Sequence, residues 1–185
     1  MIHVIQAVTS HKGYFEAPGI RYDAVPYPGF SRGFGEFMEK TWHMVRPCDW
    51  VMWQPHDIEM DYADLIKACA VSESHFWALS LTPDSYHSHK WTVNKGKGWR
   101  EVPFVDLSPV YSYEFALAMS EHFGRSKSGW GLDVLFANHH KRLYGSTAHI
   151  CDDYMQRHTK PLDSQNWRID GLSPMDELQR IKNTL

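Results

Sequence analysis

Three separate segments of the chain carry the side chains best suited to chemistry. The first follows residues 49–54, a nearly continuous apolar run, and it holds Asp57, Glu59 and Asp61. Carboxylate oxygens are the ligands that hard divalent cations prefer, and such a cation neutralises a pyrophosphate. Asp61 is explained as a helix cap, because Asp is favoured there. Asp57 directly follows the predicted buried strand, and we expect it to have a chemical function.

The second segment, residues 128–133, reads Ser-Gly-Trp-Gly-Leu-Asp. Its two glycines allow a ligand to approach the backbone closely. Asp133 then opens a helix, where an acidic residue is favoured electrostatically in any case, so both interpretations of it stay open. The third segment, residues 149–161, contains His158, which could complete a metal site. Because the chain has 12 histidines, spacing alone does not separate this ligand candidate from the others.

An α/β fold is predicted to position these segments. Short apolar runs predict strands, and apolar residues that recur every three or four positions predict helices. The predicted strands cover residues 2–8, 21–25, 49–54, 76–81 and 104–107, and the predicted helices cover residues 32–45, 61–69, 113–123, 132–143 and 173–181. Strands separated by helices indicate a mostly parallel sheet flanked by helices. Ligands of such sheets lie outside the carboxyl ends of the strands.

The composition fits a single domain with an apolar core, since 43% of the 185 residues are hydrophobic. A net charge of −3 gives no broad cationic field for nucleic acid. Three distant cysteines without a CxxC pair argue against a disulfide scaffold or a zinc ribbon, and they favour a reduced, cytoplasmic setting. We expect no signal peptide, because Met1 leads straight into a strand-like run, and no membrane span, because the apolar runs are too short.

Residues 82–100 show no periodicity and are predicted to form a long loop with Lys95, Lys97 and Arg100 near its end. Loops of this length in compact domains are often functional. If the loop folds over the site, its cations would contact phosphates and the loop would exclude water. A merely solvated loop is the alternative.

Four motifs stand in a fixed order along residues 45–165. They are Asp-Ile at 57–58, Phe-Val-Asp at 104–106 followed by Pro-Val-Tyr-Ser at 109–112, Gly-Trp-Gly-Leu-Asp at 129–133, and His-Thr-Lys-Pro at 158–161. This set resembles a glycosyltransferase-like family with the GT-A fold, whose members share DDDI, FVE with PVFS, GWGLD and HTRP. The resemblance implies a compact, GT-A-like (Rossmann-like) domain over residues 1–170, with a C-terminal helix at residues 171–185 packed on it.

The resemblance also implies roles for individual residues. Asp57 matches the last acid of the metal-binding turn, His158 matches the C-terminal metal ligand, and Asp133 matches the acid that faces the acceptor. That acid is the catalytic base in inverting members of the fold. The chain departs from the family where a proline and His56 replace the first two acids of the turn. Metal binding could then be weaker, could recruit His56 or Glu59, or could have been lost.

The implied reaction transfers a sugar from a nucleotide-sugar, such as a UDP-sugar, to an acceptor hydroxyl with the help of Mn²⁺ or Mg²⁺. The acceptor stays open between a saccharide, a small metabolite, a protein and a modified DNA base. The residues expected to contact the donor are Ala7, Val8, Thr9, Lys95, Lys97 and Arg100, and those expected to contact the acceptor or a sugar are Trp130, Gly131, Tyr111 and Trp99.

Two other functions fit the same residues. A non-catalytic nucleotide- or sugar-binding domain would keep the fold and lose the metal, and the altered metal-binding turn favours it. A metal-dependent hydrolase would use convergent histidines, for which residues 87–89 and 139–140 are candidates, although no HExxH motif occurs. The fold alone does not choose among the three functions.

Overall fold

The predicted α/β layout is present, but its sheet is mixed. The computed structural model describes residues 1–8, 13–27, 33–160 and 168–185. The strands within them are β1 (Ile2–Val8), β2 (Gly13–Ala17), β3 (Ile20–Pro26), β4 (Trp50–Gln54), β5 (Ile58–Met60), β6 (Phe76–Leu81), β7 (Trp99–Val102), β8 (Val110–Ser112) and β9 (Ala148–His158). They form one sheet in the order β2-β3-β1-β4-β8-β6-β9-β5, and β7 also pairs with β9.

The prediction of a mostly parallel sheet was wrong. β1 pairs in parallel with β3 and β4, and β6 pairs in parallel with β9. The pairings β2–β3, β4–β8, β5–β9, β6–β8 and β7–β9 are antiparallel. Each antiparallel pairing involves β2, β5, β7 or β8. These strands were not predicted, because a segment this short has too few residues to show a period of two.

Five strands have their carboxyl ends on the same side of the sheet. β8 is antiparallel to both β4 and β6, so β6 runs in the direction of β4, and β9 follows it. The strands β1, β3, β4, β6 and β9 therefore end on the same side, at Val8, Pro26, Gln54, Leu81 and His158. We call this side the carboxyl edge. It is the side on which ligands bind in α/β sheets.

The helices are α1 (Phe34–Thr41), α2 (Tyr62–Val71), α3 (Tyr113–Met119), α4 (Leu132–Tyr144) and α5 (Pro174–Lys182), and short 3-10 turns extend α1 and α3. Asp61, Ser112 and Ser173 each accept a backbone N–H in the first turn of α2, α3 and α5. This capping satisfies N–H groups that have no partner inside the helix. α4 instead follows Gly131, which has a left-handed φ of 88°.

The strand predicted at residues 104–107 does not form, and that prediction was wrong. The backbone is left-handed at Leu107 and Ser108, with φ values of 56° and 55°, so an extended strand cannot continue through them. Regular pairing starts only at Val110, the first residue of β8. As a result, Asp106 lies in an irregular turn that enters the sheet from the carboxyl edge.

The sheet separates two apolar clusters. The larger one packs α1, α3 and α4 against one face and contains the buried rings of Trp53, Phe76, Tyr111, Phe115 and Phe136. The smaller one packs α2 against the other face. Each buried ring removes about 150–250 Å² from water, which makes such rings a dominant part of the core energy. Within the described residues, every helix is too short or too polar to cross a membrane.

The C-terminal helix α5 packs on the start of α4. A Cβ built on Gly131 would lie 3.2 Å from backbone and side-chain atoms of α5, so only glycine fits there without displacing the helix. Glu177 of α5 is 6% exposed. Its carboxylate accepts from the Ser126 hydroxyl at 3.1 Å and from the backbone N–H groups of residues 127 and 128 at 2.9 and 3.0 Å. These hydrogen bonds tie α5 to the turn that precedes α4.

Candidate functional site

Asp57 and His158 face each other at the carboxyl edge, although they are distant in sequence. Ile58 of β5 lies opposite His158 of β9, which places the preceding residue beside the histidine. Asp57 Oδ2 lies 3.5 Å from His158 Nε2, and the two side chains are 17% and 5% exposed. Thr159 donates its N–H and its hydroxyl to the carbonyl of Asp57, at 2.9 and 3.0 Å. The turn is thereby fixed on the end of β9.

A hydrogen bond determines how His158 presents its ring to Asp57. His158 Nδ1 lies 3.0 Å from the carbonyl oxygen of Tyr86. Because a carbonyl only accepts, Nδ1 carries the hydrogen and donates it. In the neutral ring, Nε2 then directs a lone pair toward Asp57. Backbone support of the second ring nitrogen is typical of histidines that bind metals.

Burial disfavours the charged forms of Asp57 and His158, but their hydrogen bonds and the neighbouring charges outweigh this effect on the two pKa values. Burial alone would raise the pKa of Asp57, but the hydrogen bond and charge of His158 lower that pKa below its ordinary value. Burial would lower the pKa of His158, but Asp57, the carbonyl of Tyr86 and the charge of Asp106 together raise it. The two shifts agree, so each ionised side chain stabilises the other. A divalent cation between them would take the place of the imidazole proton.

A third carboxyl, Asp106, faces the same edge and was not assigned a role from the sequence. Its Oδ1 is buried without a hydrogen-bond partner in the part of the chain that the structure describes. Burial raises the pKa of Asp106, and the positive charges of His89, His158 and His87 oppose this rise. A signal was present in the Phe-Val-Asp motif. It was missed because the wrongly predicted strand at residues 104–107 treated the aspartate as part of regular structure.

The backbone after Asp106 is strained and is held by Gln156 of β9. Gln156 Nε2 donates to the carbonyls of Leu79 and Leu107, at 2.9 and 3.1 Å. Five buried side-chain atoms of the described residues have no partner, and three of them are Asp106 Oδ1, Ser108 Oγ and Gln156 Oε1. Buried polar atoms are normally paired. Their concentration at this turn therefore indicates a place where a polar ligand or water binds.

Asp133 lies in the first turn of α4 and interacts electrostatically with Asp106. Burial raises the pKa of Asp133 to about 7, and the negative charge of Asp106 adds to the rise. The N–H of Val134 donates to the carboxylate at 2.9 Å and only partly offsets these effects. A carboxyl that titrates near neutral pH can accept a proton and release it again, as acid–base catalysis requires.

His56 was predicted as a further metal ligand, but its ring points to Lys160. Lys160 Nζ lies 2.6 Å from His56 Nε2 and donates to it, since an ammonium group has no lone pair. This ring nitrogen is therefore occupied, and the role of His56 as a metal ligand stays a prediction. Among residues 1–8, 13–27, 33–160 and 168–185, no three His, Cys, Asp or Glu side chains are arranged to hold a metal. Lys160, to which the sequence gave no role, brings a positive charge beside the pair.

The segment between β6 and β7 packs against His158. The ring of Tyr86 meets the ring of His158 edge-on, with centroids 6.4 Å apart. His89 stacks on Trp91 at a centroid distance of 4.3 Å. The segment is shorter than the predicted loop, because β7 begins at Trp99. Within the segment, the N–H of Asn94 donates to the carbonyl of Leu81, at the end of β6, at 2.9 Å. Residues 82–93 thus return to the point from which they leave the sheet.

The predicted donor-binding cations separate into two groups. Arg100 belongs to β7, and its guanidinium donates to both carboxylate oxygens of Asp152, at 2.6 and 3.4 Å. Asp152 is almost fully buried, so this ion pair fixes β7 to β9. The prediction for Arg100 is therefore corrected, since its charge is used within the fold. Lys95 and Lys97 are exposed, and their contact with a donor stays a prediction.

Packing occupies two of the four residues that were predicted to contact the acceptor or a sugar. Tyr111 is 2% exposed and lies in the larger core cluster. Gly131 is covered by α5. Trp99 packs edge-on against Trp77 at 5.0 Å and lies away from the carboxyl edge. Packing therefore occupies Tyr111 and Gly131, whereas Trp99 is half-buried and its contact with a sugar stays a prediction. Trp130 is half-buried in the turn before α4, and its role stays a prediction.

The end of β1 was predicted to contact the nucleotide. Ala7 is fully buried in the larger core cluster, which leaves its methyl group unavailable to a ligand. Val8 is half-buried at the carboxyl edge and is the residue of β1 nearest to that role. Thr9 lies outside the described residues.

Comparisons with known proteins add a structural similarity. No protein-family model matches the chain, and no curated protein matches it. Among solved structures, the chain is similar to the crystal structure of A197 from STIV, with 14% sequence identity and a TM-score of 0.48. The match covers 95% of this chain and 91% of that chain. At this TM-score the similarity identifies neither a fold family nor an activity.

Proposed function

We propose that the chain is a nucleotide-sugar-dependent glycosyltransferase whose divalent cation is held by Asp57 and His158. The observation that carries the proposal is the 3.5 Å approach of Asp57 Oδ2 to His158 Nε2 at the carboxyl edge. Two residues distant in sequence supply one oxygen and one nitrogen ligand there, next to two further carboxyls. The resemblance of the four sequence motifs to the GT-A family supports the same function.

The Asp57–His158 pair fits a divalent cation. Ligands at about 2.1 Å from one Mg²⁺ lie about 3 Å apart when they subtend a right angle. The observed 3.5 Å requires only a small adjustment. Mn²⁺ or Mg²⁺, when bound, neutralises the pyrophosphate of the donor and stabilises the departing nucleoside diphosphate. Substrate phosphates and water would supply the remaining ligands, as is usual for Mg²⁺.

Asp133 serves as the base in the proposed reaction. Its pKa of about 7 leaves a large fraction ionised at neutral pH, and its conjugate acid remains weak enough to hold the acceptor proton. Asp106 maintains this pKa through its negative charge. The unpaired Asp106 Oδ1 is placed to accept a hydrogen bond from a substrate hydroxyl at the same edge. Lys160 adds a positive charge on the side of the phosphates.

A thermal-shift assay with nucleoside diphosphates and nucleotide-sugars, with and without Mn²⁺, tests the proposal. A ligand at 100 times its Kd stabilises the folded protein by about 2.7 kcal/mol, which raises Tm by several degrees. We expect a Mn²⁺-dependent rise for one nucleotide, and UDP is the first to test. Asp57→Asn and His158→Ala should abolish the rise, whereas the control Glu121→Gln, at an exposed carboxylate outside the site, should keep it. A normal Mn²⁺-dependent rise in both site variants would refute the metal assignment.

A non-catalytic nucleotide- or sugar-binding domain is the second candidate. It is favoured by the absence of a third metal ligand among the described residues and by the Lys160 contact of His56. This function predicts that a nucleotide raises Tm equally with and without Mn²⁺. It also predicts that Asp133→Asn leaves nucleotide binding unchanged and that no sugar transfer is detectable in the wild type. The metal-dependent hydrolase has no such supporting observation.

A further inference from the structure

A cavity opens at the amino-terminal edge of the sheet, on the opposite side from Asp57. Its volume is about 530 Å³. It lies between the end of α2, the last turns of α4 and the starts of β6 and β9. Three histidines and two large aromatic residues line it, namely His75, His140, His149, Trp99 and Tyr144. The proposed transferase chemistry uses none of these side chains.

The hydrogen bonds of two of these histidines define where their protons lie. His140 Nδ1 lies 2.6 Å from the carbonyl of Ser146 and must donate to it. The hydroxyl of Ser74 donates its hydrogen to the carbonyl of Phe76 at 3.0 Å. His149 Nδ1, 2.9 Å from that hydroxyl, therefore donates as well. In both neutral rings, Nε2 is left as a hydrogen-bond acceptor.

The acceptor on His140 has no partner. The residue is 1% exposed, and its Nε2 is buried without a hydrogen bond in the described part of the chain. Leaving a buried acceptor unpaired is unfavourable, so such groups are normally satisfied by protein, ligand or ordered water. His140 lines the cavity, so a donor group of a ligand can reach this nitrogen once a neighbouring side chain moves aside.

The cavity offers hydrogen-bond acceptors, namely the imidazoles of His140 and His149 and the exposed carboxylate of Glu73. Burial lowers the pKa of His140, and the charges of His149 and His75 lower it further, although the carbonyl of Ser146 and the charge of Glu101 oppose the shift. Burial likewise lowers the pKa of His149, against the charge of Glu101. The rings are therefore uncharged near pH 7.

The ring spacing does not suit a metal ion. Ring centroids are 6.3 Å apart for His75 and His140, and 6.4 Å apart for His140 and His149. Three imidazoles on one tetrahedral Zn²⁺, with Zn–N bonds of about 2.1 Å, have centroids about 5 Å apart. Accordingly, none of the described residues form a three-ligand metal group.

Aromatic walls and neutral acceptors together match one class of ligand. Tyr144 stacks on His75 at 4.0 Å and is 40% exposed, so part of its ring faces solvent. Trp99 contributes a half-buried indole from β7. The C–H faces of a sugar pack on aromatic rings, and its hydroxyls donate to acceptors such as imidazole Nε2. We propose that this cavity is a saccharide-binding site, separate from the Asp57–Asp133 site and independent of its chemistry.

The test is a titration of the full chain, ¹⁵N-labelled on histidine and tryptophan, with glucose, galactose, mannose, N-acetylglucosamine and maltose. We expect one sugar to shift the imidazole signals of His140 and His149 saturably, with a Kd in the millimolar range. Tyr144→Ala and His149→Asn should each raise the Kd for that sugar about tenfold. The control Asp57→Asn should bind the sugar normally even where it abolishes the Mn²⁺-dependent nucleotide shift. The two proposals can therefore fail separately.

Several results would overturn the saccharide site. One is the absence of any shift up to about 100 mM sugar, a concentration at which even weak binding is visible. Another is a hydrogen on Nε2 of His140 or His149 in long-range ¹⁵N–¹H spectra, because the ring would then be a donor. Binding of Zn²⁺ or methylammonium by the same residues, with no response to sugars, would identify a cation site instead. An unchanged sugar affinity in both Tyr144→Ala and His149→Asn would place the sugar elsewhere.

Discussion

Replacing Asp133 by asparagine should stabilise the protein at high pH while removing the proposed base. The pKa of Asp133 is about 7 in the folded protein, against an ordinary value of 3.8. Between pH 5 and pH 7 the folded protein keeps this proton, whereas the unfolded chain has released it. The free energy of unfolding of the wild type therefore falls by about 1.4 kcal/mol per pH unit, or about 3 kcal/mol over this interval, and the fall ends above pH 7. Asparagine keeps the shape of the neutral carboxyl and does not ionise.

Urea unfolding of the wild type and Asp133→Asn at pH 5 and pH 8 measures this effect. The difference in unfolding free energy between the two proteins should grow by about 3 kcal/mol in favour of the variant from pH 5 to pH 8. Taking the difference cancels the titrating groups that do not interact with Asp133. Glu121→Gln is a matched control, because this carboxylate is 78% exposed and should show no such growth. An equal Asp133→Asn difference at both pH values would refute the argument from burial.

Other predictions test the neighbours of the site and the elements that hold it. Asp106→Asn removes a negative charge, so the pKa of Asp133 should fall. The acid limb of the pH profile of any transfer activity should then move to lower pH. An unmoved profile would contradict the coupling of the two carboxyls. Arg100→Met leaves Asp152 as an unpaired buried charge and should lower the free energy of unfolding, measured in urea, by about 3 kcal/mol. Adding Asp152→Asn in a double variant should restore part of this loss. Gly131→Ala combines the strain of a left-handed backbone with a close contact to α5. It should therefore lower Tm more than Gly145→Ala, which has the same strain but no close contact. Equal losses would show that α5 yields easily.

The sequence predicted the longer elements well and the short ones poorly. β1, β6 and α4 have apolar patterns that extend over at least six residues, and the structure places them within one residue of the predicted bounds. Asp61 and Ser173 were identified as caps because capping depends on residue type over a few positions. β5 and β8 have three residues each, and only their partners define them. The mixed direction of the sheet follows from these tertiary pairings.

The site was predicted in part, for the same reason. Asp57 stands next to a recognisable strand, and His158 belongs to a recognisable motif, so both could be proposed before their distance was known. Asp106 depends on two left-handed residues whose types, leucine and serine, do not favour that conformation. Arg100 was misassigned because a surface cation and a buried ion-pair cation look alike in sequence. Tertiary packing decides between them.

The hydrogen bond from the Asn94 N–H to the carbonyl of Leu81 has a consequence for access to the site. Residues 82–93 start and finish at one point. From this span, Tyr86 packs against His158, and Trp91 stacks on His89. A loop with joined ends opens as a compact Ω-shaped unit. Its amide hydrogens should exchange with solvent together, at a rate set by local opening and insensitive to small amounts of denaturant. The opening rate of this one loop would then set an upper limit on how fast any ligand reaches the buried ring of His158.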